Sequence, residues 1–322
     1  MRIRIIAAVA VVLTLGIGQA NADARSCTDD EEAEADERLV RTNDDAQLRG
    51  RLIQRHLTFG MPAATGPADN EEILVQDGYV MNHDNDLRTA LWVGYRLTAE
   101  DQTNAQGQQR VNCFRKDPRI AARSAAYPAD YDEPRYDQGH LANDADLKDE
   151  LIDQLNSYVM SNMSPQECRF NRGIWLSLES LTRAWATEYD TIHVMSGAIF
   201  DRNDDDVRDN DADAVRMKSR SDKKRVAVPT HYYKIILRKD NEGVHSIAFL
   251  LKQSRRAHGV KWSDVRPVVE RSISTIEEIE NKGDLKLFPD LDRDEIAQSP
   301  DGEGWAMDKN AANLERGCPP PS

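Results

Sequence analysis

The chain has 322 residues and a formal net charge of −14 at pH 7, and its length suits one large domain or two small ones. The acidic balance excludes a protein that binds nucleic acid through a uniformly basic surface. None of the four cysteines lies in a Cys-x-x-Cys pattern, which argues against a zinc site or a redox motif.

The first residues are typical of a bacterial secretory signal. Arg2 and Arg4 precede an apolar run from Ile5 to Gly16, and small residues follow at Ala20-Asn21-Ala22, where a signal peptidase cuts. The run is shorter than the roughly 20 apolar residues that span a bilayer. We therefore predict a signal peptide over 1–22, a secreted or periplasmic protein and no membrane contact after cleavage. An uncleaved membrane tether is the alternative.

Composition divides the remaining chain into three segments. Residues 23–50 are highly charged and are predicted to form a poorly ordered leader, with helix only near Glu34 to Arg41. Residues 51–296 carry the apolar patterns of a folded domain. Residues 297–322 are predicted to form a polar C-terminal tail.

The even number of cysteines in a protein with an export signal favours disulfides. Three pairings of the four cysteines are possible. Cys27 and Cys318 flank the mature chain, and Cys113 and Cys168 flank the central motifs, so we predict these two pairs.

The apolar patterns predict strands and helices in no regular βαβ alternation, which favours an α+β fold on a largely antiparallel sheet. The clearest helix covers residues 172–188, where Glu179 and Arg183 lie four apart on the face opposite the apolar stripe. The other predicted helices cover Asp144 to Tyr158 and residues 274–282. The predicted strands are Ile73–Val80, Leu91–Leu97, Ile192–Phe200, His231–Arg238 and His245–Leu251.

Charge is concentrated in two adjacent segments after the third of these strands. Asp201 to Asp213 is strongly acidic, and Arg216 to Arg225 is strongly basic. Solvated loops are the simplest interpretation of both. The acidic segment could also bind calcium, although it lacks the glycine turn and the terminal glutamate of an EF-hand loop. The basic segment could contact a phosphate backbone.

Two stretches in the middle of the chain combine side chains that suit a metal ion and a phosphodiester. The first is Tyr136-Asp137-Gln138-Gly139-His140, and the second contains Asn171, Glu179 and Arg183. His140, with an ordinary pKa of roughly 6.5, suits a general base near neutral pH. Asn171 offers an oxygen to Mg²⁺, which keeps several waters that Glu179 could hold. Arg183 could bind a phosphate oxygen.

In order and spacing, these stretches resemble the DNA/RNA non-specific endonucleases, which are ββα-metal (His-Me finger) nucleases. The family's Asp-Arg-Gly-His block corresponds to Asp137-Gln138-Gly139-His140. Its second block corresponds to Asn162-Met163-Ser164-Pro165-Gln166, and its third to Asn171-Arg172-Gly173-Ile174-Trp175 followed by Leu178-Glu179. The similarity extends from about Gly60 to Pro289.

The resemblance implies a ββα-metal fold and a Mg²⁺-dependent endonuclease, with Mn²⁺ as a substitute ion, that cleaves DNA and RNA to 5′-phosphate products. It implies that His140 is the general base, that Asn171 binds the metal and that Glu179 contacts the metal's waters. Asn162 would orient the site, and Arg183 would bind phosphate. The resemblance leaves open a homodimer and an inhibitor protein as partners.

One residue departs from the family pattern, because the arginine beside the histidine is replaced by Gln138. Glutamine keeps a hydrogen bond to substrate and loses the positive charge, for which Arg135 or Arg172 could compensate.

Two alternatives to an active nuclease stay open. One is a catalytically weakened nucleic-acid-binding homologue, and the other is an acidic calcium-binding secreted protein that works through residues 201–213.

Overall fold

The computed structural model describes residues 24–66, 68, 70–218, 225–256, 258–259, 261–307 and 318. The predicted signal peptide and the centre of the basic segment, 219–224, lie outside these ranges. No helix within the described ranges is both long and apolar enough to cross a membrane.

The elements alternate irregularly along the chain, as the sequence predicts. The strands are β1 Arg25–Ser26, β2 Ala63–Ala64, β3 Glu71–Val75, β4 Val80–Asp84, β5 Thr89–Thr98, β6 Val111–Asn112, β7 Tyr136–His140, β8 Met163–Glu167, β9 Thr191–Ile199, β10 His231–Asp240, β11 Gly243–Lys252, β12 Ile273–Ser274, β13 Leu285–Lys286 and β14 Ile296–Gln298. The α-helices are α1 Asp29–Asp44, α2 Ala46–His56, α3 Ala99–Asn104, α4 Leu151–Ser157, α5 Leu176–Tyr189, α6 Trp262–Glu270 and α7 Ile276–Gly283.

An eight-stranded sheet forms the centre of the molecule, in the order β12-β11-β10-β9-β5-β4-β3 with β14 beside β11. Every neighbouring pair is antiparallel except β11 with β14. The predicted α+β fold on a largely antiparallel sheet is therefore confirmed. Successive residues of β5 and β10 are buried, and because side chains alternate along a strand, both faces of the sheet are covered.

The helix α5 covers part of this sheet with the predicted apolar stripe. Leu178, Leu181 and Trp185 are fully buried, and the Trp185 ring stacks on Phe249 of β11. The helix continues directly from a π-helical turn, Phe170–Trp175. Single π-helical turns are uncommon and are found most often at functional sites.

The hairpin β7–β8 precedes this turn and completes a ββα unit. Its antiparallel register places His140 opposite Met163 and Gln138 opposite Pro165. A side chain at Gly139 would collide with the Gln166 side chain, so only glycine allows this close pairing. The register fixes the direction in which His140 leaves the strand.

The prediction of a poorly ordered leader over 23–50 was wrong, because two capped helices occupy most of it. Thr28 and Glu31 form a capping box at the start of α1, and Asp45 caps α2. Ala35 and Leu39 are fully buried against the domain. Only these few apolar positions face inward, so the helical stripe is hard to see within the charged sequence.

The predicted disulfide pairing was also wrong. The strands β1 and β6 pair in parallel, with Ser26 opposite Asn112, so the next residues, Cys27 and Cys113, meet with Cα atoms 5.2 Å apart and form a disulfide. Cys168 and Cys318 form the other, with Cα atoms 5.7 Å apart. A pairing of two short strands that are distant in the chain decides the connectivity.

Two further predictions need correction. The helix expected over Asp144 to Tyr158 is restricted to α4, because Glu150 adopts an extended conformation immediately before it. The helix α6 had no counterpart among the predicted elements.

The prediction of a polar tail over 297–322 needs correction, because Trp305 and Met307 are buried. Trp305 packs edge-on against Trp185.

The acidic segment Asp201 to Asp213 folds around a lysine. The Lys282 ammonium, which is itself buried, forms ion pairs with Asp201, with Asp204 at 3.2 Å and with Asp206 at 2.8 Å. Three carboxylates of the acidic segment are therefore held by an intramolecular cation.

Candidate active site

The ββα unit brings most of the predicted site residues to one cleft of about 550 Å³. The strand β7 contributes Gln138 and His140, the π-helical turn contributes Asn171 and Arg172, and α5 contributes Glu179 and Arg183. The indole of Trp175 donates a hydrogen bond of 3.1 Å to the backbone carbonyl of His140. This bond ties the strand to the start of the helix.

His140 lies in the cleft wall as a neutral imidazole. Its side chain is 8% exposed, and its Nε2 atom has no hydrogen-bond partner among the described residues. The Tyr158 ring packs edge-on against it at 4.8 Å. Burial lowers the pKa of His140 to about 4, against the opposing charge of Asp144. An unprotonated imidazole can accept a proton at neutral pH.

Asn171 faces the cleft from the π-helical turn. Its amide nitrogen donates a hydrogen bond of 3.0 Å to Asp137 on β7. This bond uses the nitrogen and leaves the amide oxygen, the atom that a hard cation prefers, for another partner.

Glu179 lies about two helical turns beyond Asn171 and is almost completely buried, with 5% exposure. Burial raises the pKa of Glu179 to about 7, while the charge of Lys234, a hydrogen bond from Asn143 and the charge of Arg183 oppose the rise. The carboxyl group is thus balanced between its two protonation states near neutral pH.

Arg183 does not pair with Glu179 as the helical spacing suggests. Its Nη1 atom lies 3.0 Å from Oδ1 of Asp146, and Asp146 also accepts a hydrogen bond of 2.7 Å from Tyr95. The guanidinium therefore borders the cleft while a buried carboxylate fixes its position.

Asn162 is fully buried and is absent from the cleft wall. Its amide oxygen accepts a hydrogen bond of 2.9 Å from the backbone of Ala142, and its amide nitrogen donates to the carbonyls of Ala142 and Ser157. Asn162 thus fixes the backbone that follows His140. It can orient the site only through that backbone, because it does not border the cleft.

The three predicted substrate-binding residues have different positions. Gln138 borders the cleft and donates a long hydrogen bond of 3.4 Å to the carbonyl of Pro128. Arg172 borders it as well, but two of its nitrogens bind Asp137, each at 2.8 Å. Arg135 lies outside the cleft wall, where it pairs with Glu167 and stacks over Tyr136.

Sequence reasoning missed several side chains of the cleft. Those with polar or aromatic groups are Arg110, Phe114, Asn143, Asp144 and Lys148. Asn143, Asp144 and Lys148 closely follow the His140 motif, and the polar character of Asp144 and Lys148 within a predicted helix was a usable signal. Arg110 and Phe114 precede the motif by many residues, and no pattern in the chain points to them.

The donor set suits a hard divalent cation. Asn171 and Glu179 offer oxygen atoms, and no cysteine borders the cleft. Within the described ranges, the groups of three or more His, Cys, Asp or Glu close enough to share an ion are Cys27-Glu32-Cys113 and Asp240-Glu242-His245, which lie elsewhere. A site with so few protein ligands fits an ion that keeps several of its own waters.

One cleft is bordered by His140 of the hairpin, Asn171 of the π-helical turn and Glu179 of α5. This arrangement defines a ββα-metal nuclease. The family model described as DNA/RNA non-specific endonuclease matches residues 61–294. The chain belongs to this family and is an endonuclease that acts on nucleic acids.

The relatives of the chain are nucleases, some of them mitochondrial. Nuclease C1 of Cunninghamella echinulata var. echinulata is 30% identical over 187 residues, which cover 56% of this chain and 69% of that protein. Mitochondrial endonuclease G of Homo sapiens is 28% identical over 234 residues, covering 72% and 73%. A nuclease of the bacterium Nostoc sp. is 29% identical over 149 residues, covering 45% and 53%.

A solved structure shares the fold. The crystal structure of an EndoG/EndoGI complex, which concerns the mechanism of EndoG inhibition, superimposes with a TM-score of 0.62. It is 22% identical in sequence, and the match covers 77% of this chain and 96% of that chain.

Proposed function

We propose that this protein is a secreted, Mg²⁺-dependent endonuclease that hydrolyses both DNA and RNA and leaves 5′-phosphate and 3′-hydroxyl ends. One observation carries the proposal. A buried, neutral imidazole, a carboxamide and a carboxyl group with a raised pKa border the same cleft on a ββα unit.

His140 acts as the general base. Its neutral imidazole takes a proton from the attacking water, the water oxygen bonds to phosphorus, and the bond from phosphorus to the 3′ oxygen breaks. The 3′ oxygen leaves as an alkoxide that takes a proton from solvent water, the phosphate stays on the 5′ side, and His140 returns its proton to solvent. Trp175, bonded to the His140 carbonyl, and Asn162, bonded to Ala142, hold the imidazole in place.

Asn171 would bind Mg²⁺ through its amide oxygen, and Glu179 would hold the ion's waters. Bound Mg²⁺, or Mn²⁺ in its place, neutralises charge on the phosphoryl oxygens. Asp137 turns the Asn171 amide so that its oxygen is available. The charges of Lys234 and Arg183 favour the carboxylate form of Glu179, which would accept hydrogen bonds from those waters.

Substrate phosphates are bound by Arg183, with Gln138 and Arg172 beside the base. The position of Arg135 supports a structural role more than direct contact, because Glu167 pairs with it outside the cleft wall. The acidic loop serves as a solvated loop, in which Lys282 pairs with Asp201, Asp204 and Asp206. This arrangement disfavours the calcium-binding alternative.

Export is supported by the predicted signal peptide and by both disulfides, since such bonds persist in oxidising compartments. The structural neighbour was solved as a complex with its inhibitor, which supports an inhibitor protein as a partner of this chain too. A homodimer remains a prediction from the family resemblance.

The test is a substrate and metal panel on the purified mature protein. Plasmid DNA, single-stranded DNA and RNA are each incubated with Mg²⁺, Mn²⁺, Ca²⁺ or EDTA, and the product ends are identified by phosphatase and ligase treatment. We expect cleavage of all three substrates with Mg²⁺ and Mn²⁺, none with EDTA, and ligatable 5′-phosphate ends. Cleavage that persists in EDTA, or that is confined to one sugar, contradicts the proposal.

A further inference from the structure

Two arginines meet on one buried carboxylate at the end of the β7–β8 hairpin that lies away from His140. Arg135 directly precedes β7, Glu167 ends β8, and Arg255 follows β11. The Nε atoms of both arginines contact Oε1 of Glu167, that of Arg255 at 3.3 Å. The Glu167 side chain is 6% exposed, whereas those of Arg135 and Arg255 are 40% and 43% exposed. The acid is therefore inside, and both guanidinium groups face solvent.

The pairing leaves positive charge in excess. One carboxylate balances one guanidinium, and a second guanidinium beside the first is repelled by it. A tie between the hairpin and the segment after β11 needs only one arginine. The backbone already supplies such a tie, because the N–H of Glu167 donates a hydrogen bond of 2.7 Å to Oε1 of Gln253. The second arginine is therefore not explained by the fold.

Two more arginines follow these residues in the chain. Cys168, whose backbone N–H donates a hydrogen bond of 3.2 Å to the carbonyl of Arg135, is followed by the half-buried Arg169. Arg256, which is exposed, follows Arg255. We call the four residues Arg135, Arg169, Arg255 and Arg256 the outer arginine patch. A chain with a net charge of −14 thus concentrates basic side chains at this end of the hairpin.

The acidic side chains nearest the outer arginine patch have cations beside them. Asp137 binds two nitrogens of Arg172, each at 2.8 Å. Glu133 accepts a hydrogen bond of 2.9 Å from the backbone N–H of Lys218, which brings that lysine next to it. A patch of one sign on a protein surface attracts ligands of the opposite charge. The ligand that suits this patch is a polyanion.

Strand β7 connects the patch to the cleft. His140 ends the strand at the cleft, and Arg135 lies just before its first residue. Five residues of extended chain at about 3.3 Å each separate the two by about 17 Å. A nucleic-acid duplex advances about 3.4 Å per nucleotide of each strand. A strand with one phosphate at His140 therefore reaches the patch about five nucleotides further on.

We propose that Arg135 and Arg255 bind phosphates of the substrate strand about five nucleotides from the scissile bond, so that the enzyme favours long strands over short oligonucleotides. Guanidinium groups suit phosphate oxygens through paired, charge-assisted hydrogen bonds. Its place outside the cleft wall keeps Arg135 from the scissile phosphate itself, and Glu167 holds it for this outer contact. The inference rests on the proposed function, because it places the scissile phosphate at His140.

The test compares a short and a long substrate in the His140→Ala background, so that cleavage does not consume them. Fluorescence anisotropy gives the Kd of labelled single-stranded DNA of about 3 and about 16 nucleotides in Ca²⁺, at KCl concentrations from about 50 to about 300 mM. The shorter strand fills the cleft and is too short to reach the patch. The variant is Arg135→Met with Arg255→Met. Its matched control is Arg51→Met with Arg55→Met, an equal loss of charge on the exposed side of α2.

We expect the patch variant to raise the Kd of the long strand about tenfold or more, through the loss of two charge-assisted bonds. The slope of log Kd against log salt should fall by about 1.4, which is about 0.7 for each of two phosphate contacts on a single strand. The Kd of the short strand should not change. The α2 control should leave both strands unaffected.

The single variant Arg255→Met serves if the double variant does not fold, because Glu167 keeps Arg135 as its partner. It should reduce the salt slope for the long strand by about 0.7. The charge-keeping variant Arg135→Lys with Arg255→Lys should retain most of the affinity for the long strand, since the ammonium groups still attract phosphate.

Three outcomes overturn the assignment. The first is an unchanged Kd and salt slope for the long strand in the patch variant. The second is an equal rise in Kd for the short and the long strand, which would make the two arginines a structural tie that shapes the cleft. The third is the same loss of affinity in the α2 control, which would assign the effect to the net charge of the protein.

Failure of the proposed function gives a different result from failure of this inference. If the wild-type protein cleaves neither DNA nor RNA, or if His140→Ala cleaves at the wild-type rate, the proposed function is wrong whatever the patch does. If His140→Ala abolishes cleavage and the patch variant binds the long strand as its parent does, only the role of Arg135 and Arg255 is wrong.

Discussion

The amide nitrogen of Asn171 and the Oδ2 atom of Asp137 are 3.0 Å apart and share a hydrogen bond. The bond crosses from the π-helical turn to β7 and sets which end of the carboxamide faces the cleft. Asp137 also binds Arg172, so one carboxylate positions the proposed metal ligand and a basic neighbour. One carboxylate outside the proposed catalytic set thus orients two other side chains of the cleft.

Removing that carboxylate should weaken metal binding. In Asp137→Ala the Asn171 amide is free to rotate, and we expect the affinity for Mg²⁺ to fall about 10- to 100-fold, as is usual when the partner of a ligand is lost. Isothermal titration of Mg²⁺ into the protein measures this directly. Asp213→Ala, in the acidic loop, is the control and should bind as wild type does. Equal affinities for Asp137→Ala and wild type would contradict the assignment of Asn171.

The disulfide pairing can be checked by peptide mapping without reduction. We expect linked peptides that contain Cys27 with Cys113 and Cys168 with Cys318. Removing the first bond with Cys27→Ser and Cys113→Ser together should lower the free energy of unfolding by about 2–4 kcal/mol, because the unfolded chain gains freedom. A linked peptide that joins Cys27 to Cys318 would contradict the structure.

Trp185 should be among the most costly residues of α5 to truncate. It is fully buried, stacks on Phe249 and meets Trp305 edge-on. We expect Trp185→Ala to lower the free energy of unfolding by about 3–5 kcal/mol, through lost burial and a cavity. Thr187→Ala, on the exposed side of the same helix, should change it by less than about 0.5 kcal/mol. Urea denaturation of both variants measures these changes. Similar urea midpoints for Trp185→Ala and Thr187→Ala would contradict the packing described for Trp185.

Acid should destabilise the protein through its buried histidines. Burial lowers the pKa of His83 to about 4, and the unfolded chain restores it to roughly 6.5. Between these two pKa values the unfolded state binds the extra proton. The free energy of unfolding therefore has its full value above about pH 6.5 and decreases as the pH falls towards about 4. Each such histidine contributes about 1.4 kcal/mol per pH unit.

The contribution of His83 is isolated by substitution. Unfolding free energies of wild type and His83→Gln are measured at several pH values between 4.5 and 7.5, a range that spans the two pKa values of about 4 and roughly 6.5. The variant should be less stable at neutral pH and should show a slope that is shallower by about 1.4 kcal/mol per pH unit. Parallel curves for the two proteins would mean that His83 titrates normally in the folded state.

The parts of this molecule that the sequence predicts are those with strong local patterns. The strands that became β9, β10 and β11 carry dense apolar runs, and α5 carries a regular stripe. His140, Asn171 and Glu179 could be placed because their motifs lie close together in the chain and one ββα unit unites them. Local patterns were sufficient for the strands and the helix, whereas the site residues were placed through the resemblance to the family's motifs.

Long-range contacts account for what the sequence did not predict. Arg110 meets Tyr158 across 48 positions of the chain, and no periodic pattern marks such a contact. The parallel pairing of β1 with β6 that joins Cys27 to Cys113 spans 86 positions. Glu150 is extended, so α4 begins only at Leu151. Asp144 lies outside the helix and forms an ion pair with Arg110.

The central claim is that His140 performs the proton transfer at a metal site that exists without it. Single-turnover cleavage of a labelled DNA and a labelled RNA by His140→Ala, with Mg²⁺ affinity measured by titration on the same protein, tests it most directly. His245→Ala, on β11 away from the cleft, is the matched control. We predict that His140→Ala binds Mg²⁺ as wild type does and cleaves both substrates at least about 100-fold more slowly, while His245→Ala cleaves normally. Cleavage by His140→Ala at the wild-type rate would contradict the account.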